Sequence, residues 1–290
     1  MKRLTALLLL ALLLCGCAKP QIPTTTATEP TTTAPVPTTT VPPTTVPPTT
    51  VPPTTVPDTV SILDFLRLAT QPVGSTMYVW GGGWNEEDTA AGIEAVTLGV
   101  SPQWAEFAAQ QGSGYDMNDT RYQIHDGLDC SGYVGWAVYN ALETENGRPG
   151  YVMASTKMAK TYADMGLGTY IPAAEMTVWQ AGDIMSMQGH VWIVVGQCED
   201  GSVLFLHASP PGVMFSGTEL PDGSESQATA LAEQIMRDYF PDWYARFPDS
   251  ARPHSYLTAS SAMRWSTDIL SDYEGLREMT AEEVVEQIFG

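Results

Sequence analysis

Gly127-Leu128-Asp129-Cys130-Ser131-Gly132-Tyr133 is the stretch that decides how this chain is read. Behind it, Val134, Ala137, Val138 and Ala141 recur at helical spacing, so Cys130 to Leu142 reads as a helix with one buried face and a thiol in its first turn. The small Ala137 and Ala141 on that face let the helix approach a sheet closely. Downstream, Gly189-His190-Val191-Trp192 begins a strand-like run with a histidine, and Phe205-Leu206-His207-Ala208-Ser209 closes the next run with another. A thiol at a helix N-terminus beside an imidazole is expected to ionise below its ordinary range and act as a nucleophile. The pattern fits a cysteine hydrolase in which Cys130 attacks, His190 is the base and His207 orients it through the other ring nitrogen. The first turn of the helix offers backbone donors for an oxyanion.

Whether the histidines meet depends on the hairpin between them. Side chains alternate along a strand, so His190, Trp192 and Val194 share one face, as do Val203, Phe205 and His207. A loop from Cys198 to Gly201 pairs Gln197 with Ser202 and puts His207 opposite Trp192, which makes the two histidines diagonal neighbours. A two-residue Asp200-Gly201 turn instead puts His207 opposite Val194, out of reach of His190. Both registers are open at the level of sequence.

The remainder has an α+β pattern. Strands are expected over Thr76 to Trp80, Asp183 to Ser186, Val191 to Gly196, Ser202 to His207 and Ala262 to Trp265. Helices are expected from Ser101-Pro102, over Ala154 to Met165 and Gln227 to Tyr239, and over Thr280 to Ile288, where Thr280 and Glu283 have the spacing of a capping box. Trp84, Trp104, Tyr115 and Tyr122 read as a satellite core rather than a sugar or peptide platform, and His125 and His254 as exposed positions.

The first fifth of the chain has a different composition. Lys2-Arg3 followed by the apolar run Leu4 to Leu14 has the form of a secretory signal, and Leu14-Cys15-Gly16-Cys17 resembles a bacterial lipobox with Cys17 as the lipid-bearing residue. Residues 1–17 are therefore expected to be a lipoprotein signal, and a diacylglyceryl group would supply the two acyl chains that stable anchoring needs. Residues 18–58 are rich in Thr, Pro and Val, with Val41-Pro42-Pro43-Thr44-Thr45 repeated from Val46 and Val51. Such a segment has too little bulky apolar surface to offset the entropy of ordering it, and reads as an extended linker reaching on the order of 120 Å. The folded part is expected over residues 59–290.

Net charge is −20, from 33 acidic and 13 basic residues, and no basic cluster follows the signal, which argues against nucleic acid as a partner. Of four cysteines only Cys130 and Cys198 fall in the folded part, and both read as free thiols, Cys198 at a turn without a chemical role. A zinc site on Cys130, His190 and His207 would lack the two-histidine helix and Cys-x-x-Cys pairs typical of such centres, so no metal is expected.

Four motifs together resemble the NlpC/P60 cell-wall peptidases. Tyr78-Val79-Trp80-Gly81-Gly82 is similar to that family's Tyr-x-x-Gly-Gly opening, and Asp129-Cys130-Ser131-Gly132 to its nucleophile motif. Gly182-Asp183-Ile184 leading to Gly189-His190-Val191 resembles its base-bearing hairpin, and His207-Ala208-Ser209 its third catalytic position. The resemblance implies a papain-like α+β fold, an antiparallel sheet with the nucleophile at the N-terminus of a packed helix. Here it is enlarged by insertions near 83–128 and 146–180 and by a C-terminal extension. It also implies a cysteine endopeptidase that cleaves an amide of the peptidoglycan stem peptide, between γ-linked D-glutamate and the diamino acid, through a thioester and without a cofactor. Cys130, His190 and His207 would be catalytic, and Tyr78, Asp129 and Ser131 would line the substrate side. An amidase or acyltransferase on the same scaffold, or a wall-binding lipoprotein without activity, are the alternatives. The expected location is the outer face of the bacterial membrane, reaching into the wall. If Cys17 carries the anchor, metabolic labelling with a tagged fatty acid marks the wild-type chain and not Cys17→Ser; equal labelling of both chains would contradict it.

Overall fold

The computed structural model describes residues 60–142 and 150–290. The signal segment, Cys17, the linker and residues 146–149 of the second insertion lie outside the described residues. In chain order the elements are α1 (Ile62–Thr70), β1 (Met77–Tyr78), α2 (Pro102–Ala109), β2 (Gly127–Leu128), α3 (Cys130–Leu142), α4 (Ser155–Asp164) and β3 (Gly168–Ile171). They continue with β4 (Ile184–Met187), β5 (His190–Gln197), β6 (Val203–Ser209), β7 (Gly212–Thr218), α5 (Gln227–Tyr239) and α6 (Pro241–Tyr244). The last are β8 (Ala251–Arg252), α7 (Ser255–Ala259), β9 (Ser261–Trp265) and α8 (Ala281–Phe289). The class is α+β, built on an open sheet in the order β2-β1-β7-β6-β5-β4-β9-β3, with β8 beside β7. Within it β1 with β2 and β7 with β8 run parallel, and the other pairs are antiparallel. Among the described residues no helix is long and apolar enough to cross a membrane.

The sheet divides two cores by strand alternation. Val191, Ile193, Val195, Leu204 and Leu206 face a large core shared with α3, while Trp192, Val194, Val203 and Phe205 face a smaller one closed by Leu257 and Ala262. Capping boxes start α1, α5 and α8, the last on Thr280 and Glu283 as the sequence spacing implies. Ser101 stands at the N-cap of α2 without a side-chain capping bond. Behind the small core, Asp183, just before β4, is tied to Arg264 of β9 by three hydrogen bonds, the shortest 2.6 Å from Nη2 to Oδ2.

Helix α3 departs from the expectation of one buried face. It is buried almost all round, from Cys130 to Val138 and again at Asn140 and Ala141. The inserted segment before it supplies the missing cover. Trp104 of α2 stands edge-on to Trp136 at 6.1 Å, the Trp136 indole N–H donates to Gly99 O at 3.1 Å, and Asn140 donates to Thr97 O at 3.1 Å. Trp104 is fully buried, and Trp84, Tyr115 and Phe107 pack against the same core. Trp84, Trp104 and Tyr115 are thus core residues, but of the main core and not of a satellite; Tyr122, 59% exposed, is outside it.

The first turn of α3 touches the loop after β1 backbone to backbone. A Cβ on Gly132 would lie 2.0 Å from Gly82 O, and one on Gly82 would lie 2.3 Å from Gly127 O. Neither position has room for a side chain, and the obstruction is main chain, which does not yield as a flexible side chain would. Gly132→Ala is therefore expected to lower unfolding free energy by about 3 kcal/mol in denaturant titration. Gly112→Ala, where a Cβ meets nothing within 4 Å, should leave the midpoint unchanged.

Candidate active site

The hairpin solves its register in a way neither sequence alternative contained. Gln197 pairs with Val203 and Gly196 with Leu204, so five residues, Cys198 to Ser202, make the turn. It is closed by the Cys198 N–H to Ser202 O at 2.8 Å and the Gly201 N–H to Cys198 O at 3.0 Å. A β-bulge at Val195 then absorbs the extra residue, and Val194 pairs with Phe205 and Ile193 with Leu206. From there onward the pairing is that of the four-residue loop, and the histidines become diagonal neighbours. His190 Nε2 lies 2.9 Å from His207 Nδ1, with the rings edge-on at 5.1 Å.

The chain of hydrogen bonds goes one step further. His207 Nε2 lies 3.0 Å from Ser216 Oγ on the neighbouring strand β7. His207 is fully buried and His190 is 8% exposed, so the pair sits in a dry environment. Burial, and the nearby charge of Arg252, lower His190 to about 3 and hold His207 well below the usual histidine range. Both rings are neutral at rest. For His190 to accept a proton at Nδ1, its Nε2–H must donate to His207 Nδ1, which in turn leaves His207 Nε2–H to donate to Ser216 Oγ. The Ser216 hydroxyl, which can accept from that nitrogen, is compatible with this tautomer of both rings.

Cys130 opens α3 with its sulfur against the backbone on either side of His190. The thiol is directed at Gly189 O, 4.0 Å away, and the Val191 N–H points at the sulfur. The N–H groups of Ser131 and Cys130 itself point the same way and favour the thiolate, but burial and the neighbouring Asp129 outweigh them, and the thiol is pushed up. This corrects the expectation of a thiol that ionises early. The resting pair is a neutral thiol beside a neutral imidazole, and helix position alone does not overcome the loss of solvent.

Asp129 and Ser131 are engaged with the helix start. Asp129 Oδ1 accepts from the Gly132 N–H at 2.7 Å and from Ser131 Oγ at 2.8 Å, while Ser131 Oγ accepts from the Trp84 indole N–H at 3.0 Å. Burial raises Asp129 to about 6 against the bonds that favour its charge. Tyr78 is 6% exposed, and burial together with Cys130 and Asp129 raises its phenol, so its ring lies on the thiol side of the site.

Several neighbours had no signal in the local sequence. Arg252 of β8 donates to Ala251 O at 2.6 Å and toward Met214 Sδ at 3.7 Å, and Met214 pairs with His207 across β6 and β7. Tyr256 of α7 places its ring 5.4 Å from His190 and 6.4 Å from His207. Ser216 had none either, because Val213 to Thr218 runs three apolar residues into three small ones and does not alternate. Cys198 is a buried free thiol at the far end of the hairpin. His125 is an exposed side chain bonded through Nδ1 to Glu94, and it does not join the histidine pair.

No protein-family model, curated protein or solved structure matches the chain.

His190 titrates near 6.5 in an unfolded chain and near 3 in the fold. Between those values the unfolded state binds more protons, so stability is complete above the unfolded value and lost as pH falls, at up to about 1.4 kcal/mol per unit. Thermal midpoints from pH 7 to 4 should fall more steeply for wild type than for His190→Gln. The rise of Asp129 acts in the opposite sense on both chains and cancels in the comparison; parallel curves would contradict the burial of a neutral base.

Proposed function

We propose that the chain is an exported cysteine endopeptidase of the NlpC/P60 type, with a papain-like arrangement of nucleophile helix and base-bearing strands. It cleaves an amide in the peptidoglycan stem peptide, between γ-linked D-glutamate and the diamino acid, while tethered through Cys17 to the outer face of the membrane. The observation that carries the reading is the 2.9 Å bond between His190 and His207 with the Cys130 sulfur seated between Gly189 O and the Val191 N–H. A thiol, an oriented base and an orienting group on three separate elements are what acyl transfer through sulfur requires.

In this reading substrate binding brings a carbonyl against Cys130. The thiol proton moves to His190 Nδ1 as sulfur attacks, and the resulting imidazolium donates through Nε2 to His207 Nδ1, whose other nitrogen donates to the Ser216 hydroxyl in this tautomer. N–H groups at the start of α3 receive the oxyanion. His190 then protonates the leaving amine, and a water deprotonated by the same ring releases the thioester. Tyr78 and Asp129 border the acyl side, and Ser131 keeps Asp129 in place.

Mass spectrometry of muropeptides incubated with the full chain tests this. Wild type is expected to release stem-peptide fragments and Cys130→Ala none, with His207→Ala slowed about a hundredfold in kcat/KM. Release of intact stem peptide from the sugar would identify an amidase, a transferred acyl group a transferase, and intact substrate with every chain a binding lipoprotein. Each of these three results would overturn the endopeptidase reading.

A further inference from the structure

The inserted segment between the Gly-Gly opening and the nucleophile builds a cavity of about 330 Å³ beside the start of α3. Trp84, Tyr122 and Ile124 wall it, and Asn85, Glu86, Asp88 and His125 edge it. An adjoining recess of about 270 Å³ shares Trp84, Glu86, Ile124 and His125 and adds Glu94. Two links join the cavity to the nucleophile motif: the Gly81 N–H favours the Asp129 carboxylate, and the Trp84 indole N–H donates to Ser131 Oγ at 3.0 Å.

Two features of this wall are unusual. Among the described residues the non-glycine positions with left-handed backbone are Asp88, at φ 56°, and Tyr122, at φ 68°, and both line the cavity. An aromatic residue is seldom held there unless its surroundings compel it. Glu94 is the second feature. Its side chain is only 10% exposed, Oε1 bonds to His125, and Oε2 has no hydrogen-bond partner among the described residues. A buried carboxylate oxygen without a donor is costly, and a ligand donor entering the recess would satisfy it.

The chemistry of the lining selects the ligand. Among the described residues four carboxylates, Glu86, Glu87, Asp88 and Glu94, stand against one histidine, no lysine or arginine lines either recess, and the aromatic and aliphatic walls fit methylene groups. The outer aromatic surface already holds a cation, since the Arg121 guanidinium stacks at 4.8 Å on Trp80 and 5.3 Å on Tyr122. We propose that this cavity is a second recognition site, formed by Trp84, Tyr122, Glu86, Asp88 and Glu94, that binds an alkylammonium group. Its use for the amine of a stem peptide rests on the peptidase reading; its affinity for the ammonium does not.

Calorimetric titration of the full chain carrying Cys130→Ser reads binding without turnover, so failure of catalysis and failure of this site are separate results. The probes are Nα-acetyl-lysine amide for a side-chain amine, alaninamide for an amino terminus, and Nα,Nε-diacetyl-lysine amide, which carries no charge. One or both amines should bind and the diacetyl compound should not, with the two amines telling which source the site takes. Glu86→Gln, at an exposed position, should weaken the amine about fivefold. Glu94→Gln should weaken it comparably while the thermal midpoint shows that the fold persists. Equal binding of the diacetyl compound, no binding of any probe, or binding of chitotriose alone would overturn the proposal.

Discussion

The site depends on one hydrogen bond made in the absence of water, His190 Nε2 with His207 Nδ1 at 2.9 Å. Two imidazoles on neighbouring strands reach each other only in one register, because strand period is two and a slip by one residue sends a side chain to the other face. The turn has one residue too many for that register, and the bulge at Val195 removes it. Ser216, on the next strand, completes the chain by taking the far nitrogen of His207 at 3.0 Å. Three adjacent strands thus determine which nitrogen of His190 is left for the thiol.

The thiol is placed next to the residues that flank His190 by backbone contact. Gly82 and Gly132 let the loop after β1 and the first turn of α3 touch main chain to main chain, which seats Cys130 against the residues flanking His190. The closeness has an electrostatic consequence. Burial disfavours both the thiolate and the imidazolium at rest, and in the proposed reaction the charged pair would form only as a substrate carbonyl takes up the electrons of sulfur. Arg252 acts in the same direction on both rings, keeping them uncharged until then.

Much of this was legible in the residues because it is local and periodic. The apolar spacing of α3, the alternation of β5 and β6, the glycines around the thiol and the Thr280 capping box each mark an element within a few residues of their place. The bulge beside Gly196 was not among them, because the expected strand ended at that residue. What could not be read is non-local. Burial of the outer face of α3 depends on Trp104 and on carbonyls at Thr97 and Gly99, and periodicity within α3 says nothing about a cover supplied by another segment. The direction of the Cys130 shift follows from burial of its sulfur against Gly189 and Val191, a segment about sixty residues away, and was missed for the same reason. Arg252 and Tyr256 reach the histidines from the C-terminal extension, where β8 pairs with the end of β7 and α7 follows. No pattern near either residue announces that meeting.

The claim on which the account turns is that Cys130 carries the acyl group and that His190, oriented by His207, makes the transfer possible. Mass analysis of the full chain, acid-quenched within milliseconds to seconds of mixing with stem peptide and then digested, tests it most directly. An added acyl mass is expected on the fragment containing Cys130 in wild type and none in His190→Ala; an adduct on another residue, or fragments released with no adduct at any time point, would contradict acyl transfer through Cys130.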